Sequence, residues 1–199
     1  MAERLIEFFF DIGSSYSYLA STQIDGISQR TGVPVRWRPF LLGAVFKATG
    51  NDLPIKLPAK ARWMVSDMKL WADHYGIPAR IPSRFPIVTL RAQRALCSAE
   101  RLHGPDGIPK FAQALFRAYW AEDKDPTTDD TIGAAATSAS LDPAPIIAGI
   151  EAQETKDLLR AATDEAVKRG AFGAPSMFVG ETLFWGNDRL PLLEQFLKR

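Results

Sequence analysis

Cysteine is almost absent. Cys97 is the only one among 199 residues. A single thiol excludes an internal disulfide, and without a Cys-x-x-Cys pair there is no dithiol centre or cysteine zinc site. Cys97 falls among the apolar positions of a helical pattern, Thr89 to Ala99, which marks it as a buried, inert thiol. Histidine is nearly as scarce. His74 and His103 lie on separate segments and are too few for a metal site or a Ser/His/Asp triad. Both read as surface or helix-end residues. Excess charge of either sign is missing too: 24 basic residues face 23 acidic ones, a net charge of +1. With no basic stripe, nucleic acid is not an expected partner. No apolar run is long enough to span a bilayer. The first residues lack the basic, apolar and small-residue order of a secretion signal, so a cytoplasmic protein is expected. What remains is an ordinary apolar fraction, 46%, in a length that suits one domain or one domain with an insertion.

The chain organises itself around Phe8-Phe9-Phe10-Asp11-Ile12-Gly13-Ser14-Ser15-Tyr16-Ser17-Tyr18-Leu19-Ala20. Leu5 to Ile12 is an apolar run broken only by Glu7 and Asp11, the pattern of a strand buried on both faces. It ends at Gly13. A helical pattern follows through Tyr18, Leu19, Ile24 and Ile27, and Thr31-Gly32 before Pro34 stops it. A central strand thus delivers Ser14 to a helix start, where backbone N–H groups lack internal partners. A serine there is ordinarily an N-cap and nothing more. Val35-Arg36-Trp37-Arg38-Pro39-Phe40 alternates apolar and basic, a strand with one covered face near a sheet edge. Phe40 to Pro58 reads as a long loop, in which Asn51 follows Gly50 as a turn residue.

From Lys60 to Gly170 no strand pattern appears. Helices are expected near 59–75, 88–104, 106–121, 128–139, 142–149 and 151–169, with a basic, proline-bounded connector from Pro78 to Pro86. The character then changes. Gly170 to Pro175 is glycine-rich, Ser176 to Val179 is a short strand, and Gly180-Glu181 suits a type II′ hairpin turn to Thr182–Trp185. Asn187 or Asp188 is placed to cap a helix from Arg189 to Leu197.

The ends therefore read β-α-β and β-β-α around an all-helical middle. The expected fold is α/β: a thioredoxin-like core of residues 1–40 and 170–199, with a helical insertion of residues 41–169. In that layout the Ala174-Pro175 bond is cis, and the backbone before it faces the start of the first helix, where an extended peptide can pair with it.

These residues, with Arg38-Pro39-Phe40-Leu41-Leu42-Gly43, Ser83-Arg84-Phe85-Pro86, Thr89-Leu90-Arg91-Ala92, Gly173-Ala174-Pro175 and Phe184-Trp185-Gly186-Asn187-Asp188-Arg189-Leu190, resemble the 2-hydroxychromene-2-carboxylate isomerases. Those enzymes group with the kappa-class glutathione transferases in a DsbA-like branch of the thioredoxin fold. The resemblance runs from the first strand to the last helix. Its most specific part is the Trp-Gly-Asn-Asp-Arg-Leu segment after Gly-Ala-Pro.

The resemblance implies glutathione as cofactor, a homodimer, and the cofactor's sulfur beside Ser14. It implies that Ala174 and Pro175 hold the cysteinyl backbone, that Asn187 and Asp188 hold the γ-glutamyl end, and that Asn51 and Lys60 reach the glycyl end. The activity implied is cis-trans isomerisation of a ring-opened hydroxychromene carboxylate, a small aromatic carboxylate of aromatic catabolism, through a transient thiol adduct. Ser14 would then hydrogen-bond the sulfur rather than attack carbon, since no general base neighbours it. Tyr16, Arg84 and Trp185 are candidates for substrate contact. Arg84, like Arg80 and Arg91, is chosen for its charge, and Trp185 for its ring. Trp37 reads as core. Two positions depart from the family's pattern: Ser15 stands where proline is usual, and Val88 where asparagine is usual. The alternatives are a kappa-class transferase or peroxidase, and a glutathione- or peptide-binding module without turnover. A disulfide oxidoreductase is argued against, because serines 14 and 17 occupy the redox positions.

Overall fold

The structure of the chain, a computed structural model, describes residues 4–199, so the first three residues of the expected first segment lie outside it. Strand β1, Ile6–Phe10, occupies the middle of a four-stranded sheet in the order β2-β1-β3-β4. Strand β2, Val35–Pro39, runs parallel to it, joined through α1, Ser15–Ser21, and α2, Ile24–Thr31. Strand β3, Ser176–Val179, pairs antiparallel on the other side, and β4, Thr182–Trp185, closes the hairpin. Val179 faces Thr182 across a two-residue turn in which Gly180 has φ 58°. A two-residue connection with a left-handed glycine is as expected.

Ile6, Phe8 and Phe10 alternate onto one face of the sheet. There Trp37 packs edge-on against Phe8 and Phe10, with centroids 5.0 and 5.4 Å apart. Each of these fully buried rings contributes about 2–3 kcal/mol. Leu19, Ile24 and Ile27 cover this face, together with helices from elsewhere in the chain. These are α6, Pro109–Trp120, which sets Phe116 5.7 Å from Phe10, and α10, Leu190–Leu197. The expected helical insertion therefore shares one continuous core with the sheet. Its remaining helices are α4, Pro58–Tyr75, α5, Leu90–His103, α7, Asp129–Ser138, α8, Pro143–Ala148, and α9, Gln153–Lys168. All begin and end within a few residues of the expected bounds.

Four expectations are corrected. The first helix is two helices: Ser21 and Thr22 hydroxyls donate to the carbonyls of Tyr18 and Leu19 and divert the backbone at the break. The expected loop from Phe40 to Pro58 contains α3, Leu42–Thr49, which ends where Gly50 turns left-handed at φ 70°. Strand β2 lies at the sheet edge as expected, with Arg36 exposed, but its second face is covered in part. Arg38 turns toward α9, where it meets Glu7 at 2.8 Å and Glu165 at 2.6 Å, while Arg169 joins Glu7 at 2.6 Å. Neither Asn187 nor Asp188 caps α10; they form a single 3-10 turn, Asn187–Arg189, ahead of it. Ala174-Pro175 is cis as expected, and Phe85-Pro86 is cis as well.

On the surface, Arg30 of α2 donates to both carboxylate oxygens of Glu194 on α10, at 2.9 and 2.7 Å, and Lys198 adds a third contact at 2.7 Å. The Arg30 hydrogen bonds above all hold the Glu194 carboxyl down at about 2. A depressed acid stabilises the fold above its unfolded value and loses that contribution as pH falls. Glu194→Gln is therefore expected to flatten the loss of stability between about pH 4.5 and about pH 2, with an effect under ~1 kcal/mol because water screens the pair. Urea titrations of both proteins across that range check it.

Candidate functional site

The turn after β1 is tied down from four directions. Gln93 of α5 donates one amide to Phe10 O at 2.8 Å and to Phe40 O at 2.7 Å, bridging the ends of the two parallel strands. Trp120 Nε1 donates to Ile12 O at 2.8 Å. Asp11, fully enclosed, accepts from Thr89 Oγ1 at 2.6 Å, Gly13 N at 2.9 Å and Leu42 N at 2.8 Å. Burial pushes its carboxyl up, against the pull of these three donors. One side chain thus joins β1, the first turn of α3 and the entry to α5. Neither Asp11, Thr89 nor Gln93 was a site candidate in the sequence.

This scaffold delivers Ser14 in an extended conformation, φ −95° and ψ 116°. Its hydroxyl accepts from Ser17 N at 3.1 Å, so it is the N-cap of α1. The same hydroxyl donates to Ala174 O at 3.1 Å, which brings the residue before the cis proline directly against it. The bend from Gly173 to Ser176 is closed by Ser176 Oγ on Gly173 O at 2.8 Å, and Gly186 N donates to Pro175 O at 3.1 Å. Gly173 has no room for a side chain, because a Cβ there would meet the Trp185 indole nitrogen at 2.5 Å.

Ser14 opens onto a cleft of about 380 Å³, also lined by Ser15, Tyr16, Asn51, Lys60, Trp63, Ala174 and Trp185. Asn51 spans the cleft wall, its amide donating to Phe172 O at 2.8 Å. Lys60 is exposed on the first turns of α4. On one side the cleft continues into a mainly apolar cavity of about 530 Å³ bounded by Phe46, Phe85, Ile87, Val88 and Thr89. On the other it meets a chamber of about 370 Å³, in which Tyr16 and Trp185 are joined by Asp67, Trp71, Asn187 and Asp188.

Of the residues singled out in the sequence, Ser14, Tyr16, Asn51, Lys60, Ala174, Trp185, Asn187 and Asp188 thus line one continuous depression. Pro175 is buried behind it. Arg84 is not brought in. It is exposed and paired with Asp125 at 2.8 Å, and its neighbours in charge go the same way, Arg80 to Asp123 and Arg91 to Asp129. Acidic residues 38 to 43 positions later claim these three arginines, which their local sequence did not reveal. Tyr16 is committed too, since its hydroxyl donates to Asp67 Oδ2 at 2.8 Å. Cys97 is buried, and desolvation pushes its thiol well above the usual range. Trp37 is core, with its indole N–H on Asp25 at 3.2 Å. Among the described residues no cluster of metal ligands occurs, and no helix is long and apolar enough to cross a membrane.

Residues 5–198 match the DSBA-like thioredoxin domain. The chain belongs to the DsbA-like thioredoxin family. Curated relatives 27 to 31% identical to it are named as 2-hydroxychromene-2-carboxylate isomerases and kappa-class glutathione S-transferases. A 2-hydroxychromene-2-carboxylate isomerase of Sphingobium xenophagum is 31% identical over 98% of this chain and 98% of its own. Glutathione S-transferase kappa 1 of Homo sapiens is 31% identical over 98% of this chain and 91% of its own. A solved 2-hydroxychromene-2-carboxylate isomerase superposes with a TM-score of 0.87 at 26% identity, covering 97% of this chain and 94% of that one. This DsbA-like chain keeps the fold and carries Ser14 and Ser17 at the two ends of the first helical turn.

Proposed function

We propose that this protein is a glutathione-dependent isomerase of the 2-hydroxychromene-2-carboxylate isomerase type. The observation that carries the reading is the placement of the Ser14 hydroxyl on Ala174 O, midway along a depression with Lys60 on one side and Asp188 on the other. An extended peptide with a carboxylate at one end, an ammonium at the other and a thiol between them fits that order of charges. Ala174, before cis Pro175, offers backbone groups to the cysteinyl residue. Asn51 and Lys60 serve the glycyl carboxylate. Asn187 and Asp188 serve the γ-glutamyl end.

When bound, glutathione supplies a thiolate that adds reversibly to a conjugated chain, so that a double bond becomes single, rotates and reforms as the thiolate leaves. The residues of this chain prepare that chemistry. Ser14 rotates its hydroxyl from Ala174 O to the sulfur and stabilises it as the anion, while the first N–H groups of α1 add a smaller contribution of the same sign. A free thiol has a pKa of about 8.5, so a fall of about two units makes the thiolate the main form at neutral pH. The cavity beyond Phe46, with Val88 at its rim, takes the aromatic body of the substrate and keeps water from it. Trp185 is retained as a wall of the site. Arg84, held by Asp125, is not part of it.

Turnover of 2-hydroxychromene-2-carboxylate with substoichiometric glutathione tests the reading. Sustained isomerisation with free thiol unchanged is the expected result. Thiol loss equal to product identifies a kappa-type transferase, the second reading. The homodimer implied by the resemblance belongs to the same proposal and is read by sedimentation.

A further inference from the structure

Ser14, Ser15 and Ser17 open α1, and their hydroxyls are in three different states. Ser14 is committed twice, accepting from Ser17 N at 3.1 Å and donating to Ala174 O at 3.1 Å. Ser17 is fully buried, and its hydroxyl has neither a partner nor an opening to the cleft. Ser15 is 7% exposed, and its hydroxyl makes no hydrogen bond among the described residues, yet the residue lines the cleft directly beside Ser14. The third hydroxyl of the cleft wall, that of Tyr16, is held by Asp67 at 2.8 Å. Among the described residues, Ser15 therefore carries the one hydroxyl in that wall that can donate without giving up a bond. A side chain more than nine-tenths buried with an unanswered donor costs stability. Nothing in the local fold uses this one: Ser14 caps the helix, and alanine in place of Ser15 would form helix better. A ligand in the cleft gives the hydroxyl its partner.

We propose that Ser15 is a second catalytic hydroxyl, which donates to the sulfur of the bound thiol and holds it as the anion. The inference rests on the glutathione reading and adds to it a donor of this chain's own. Ser14 turns to the sulfur only by releasing Ala174 O, so its gain is the difference between two hydrogen bonds. Ser15 releases nothing. A thiolate takes more than one donor, and each hydrogen bond to the charged form lowers the pKa further. The sulfur, rather than the substrate, is the partner, because the apolar cavity assigned to the substrate is lined by neither Ser14 nor Ser15. The hydroxyl is also particular to this chain, since the pattern it resembles has proline here, which offers neither hydroxyl nor N–H.

The test reads the pH midpoint of the thiolate band of bound glutathione in the full-length wild type, in Ser15→Ala and in Ser15→Pro, with melting curves and turnover recorded beside it. Ser15→Ala is expected to raise the midpoint by about half a unit to one unit, the size of one hydrogen bond on that scale. Its turnover at neutral pH should fall with the thiolate fraction. Its melting temperature should match or exceed that of the wild type, because an unanswered buried donor has been removed. Ser15→Pro, which removes the same hydroxyl with a residue favoured at the first helical position, should raise the midpoint at least as far. A loss of thiolate without a loss of stability is a combination that a merely structural serine does not give. An unmoved midpoint in Ser15→Ala, with glutathione bound, overturns the role of Ser15 and leaves the glutathione reading standing. Slower turnover at an unmoved midpoint assigns the hydroxyl to the substrate and overturns the role at sulfur. A markedly lower melting temperature for Ser15→Ala shows that the hydroxyl serves the fold, and overturns the inference too. Failure of the wild type to bind glutathione overturns the glutathione reading, and this inference with it.

Discussion

An Asp11→Ala variant is expected to lose about 3 kcal/mol or more of folding stability, the cost of leaving several buried donors without an acceptor. The donors are Gly13 N, Leu42 N and Thr89 Oγ1, and they belong to three separate elements. Losing their common acceptor frees the turn that carries Ser14 and the N-terminus of α3 at the same time. Asp11→Asn is expected to recover only part of the loss, because an amide offers one acceptor oxygen where the carboxylate offers two. Urea unfolding of the two variants reads the effect. A loss below ~1 kcal/mol for alanine would show that the turn is held by Gln93 and Trp120 alone.

Ser14→Ala should reduce turnover by about a hundredfold or more, the scale on which removing one donor from a developing anion acts. Glutathione affinity is expected to stay within a few-fold, since Lys60, Ala174 and Asp188 are untouched. The variant also loses the cap on α1, worth about 1 kcal/mol, so its melting curve must be recorded beside its rates. A stable, glutathione-bound variant with unchanged turnover contradicts the proposed role of the hydroxyl.

Much of this architecture was legible because local rules decide it. The run from Leu5 to Ile12 is apolar enough to hold a central strand, and Ile6–Phe10 forms one. Gly180 marks the hairpin, Gly76 and Gly104 stop α4 and α5, and the helices between them follow their apolar spacing. The resemblance, rather than these rules, named most of the eight candidate residues that the fold brings into one depression. What escaped depends on distant partners. Helix α3 has no capping side chain of its own; its first N–H groups reach Asp11 and Thr163, 31 and 122 residues away. The alternation of β2 suggested a solvated basic face; Arg36 is exposed, yet Glu7 and Glu165 draw Arg38 inward. Arg84 looked free because Asp125 lies beyond two intervening helices.

The most direct test of the account is the ultraviolet difference spectrum near 240 nm as glutathione is titrated into the protein across pH. A thiolate band with a midpoint about two units below the free thiol's value of about 8.5, returning toward that value in Ser14→Ala, is the predicted result. Glutathione bound with an unshifted midpoint, or no binding at all, would contradict the claim that this site exists to activate a thiol.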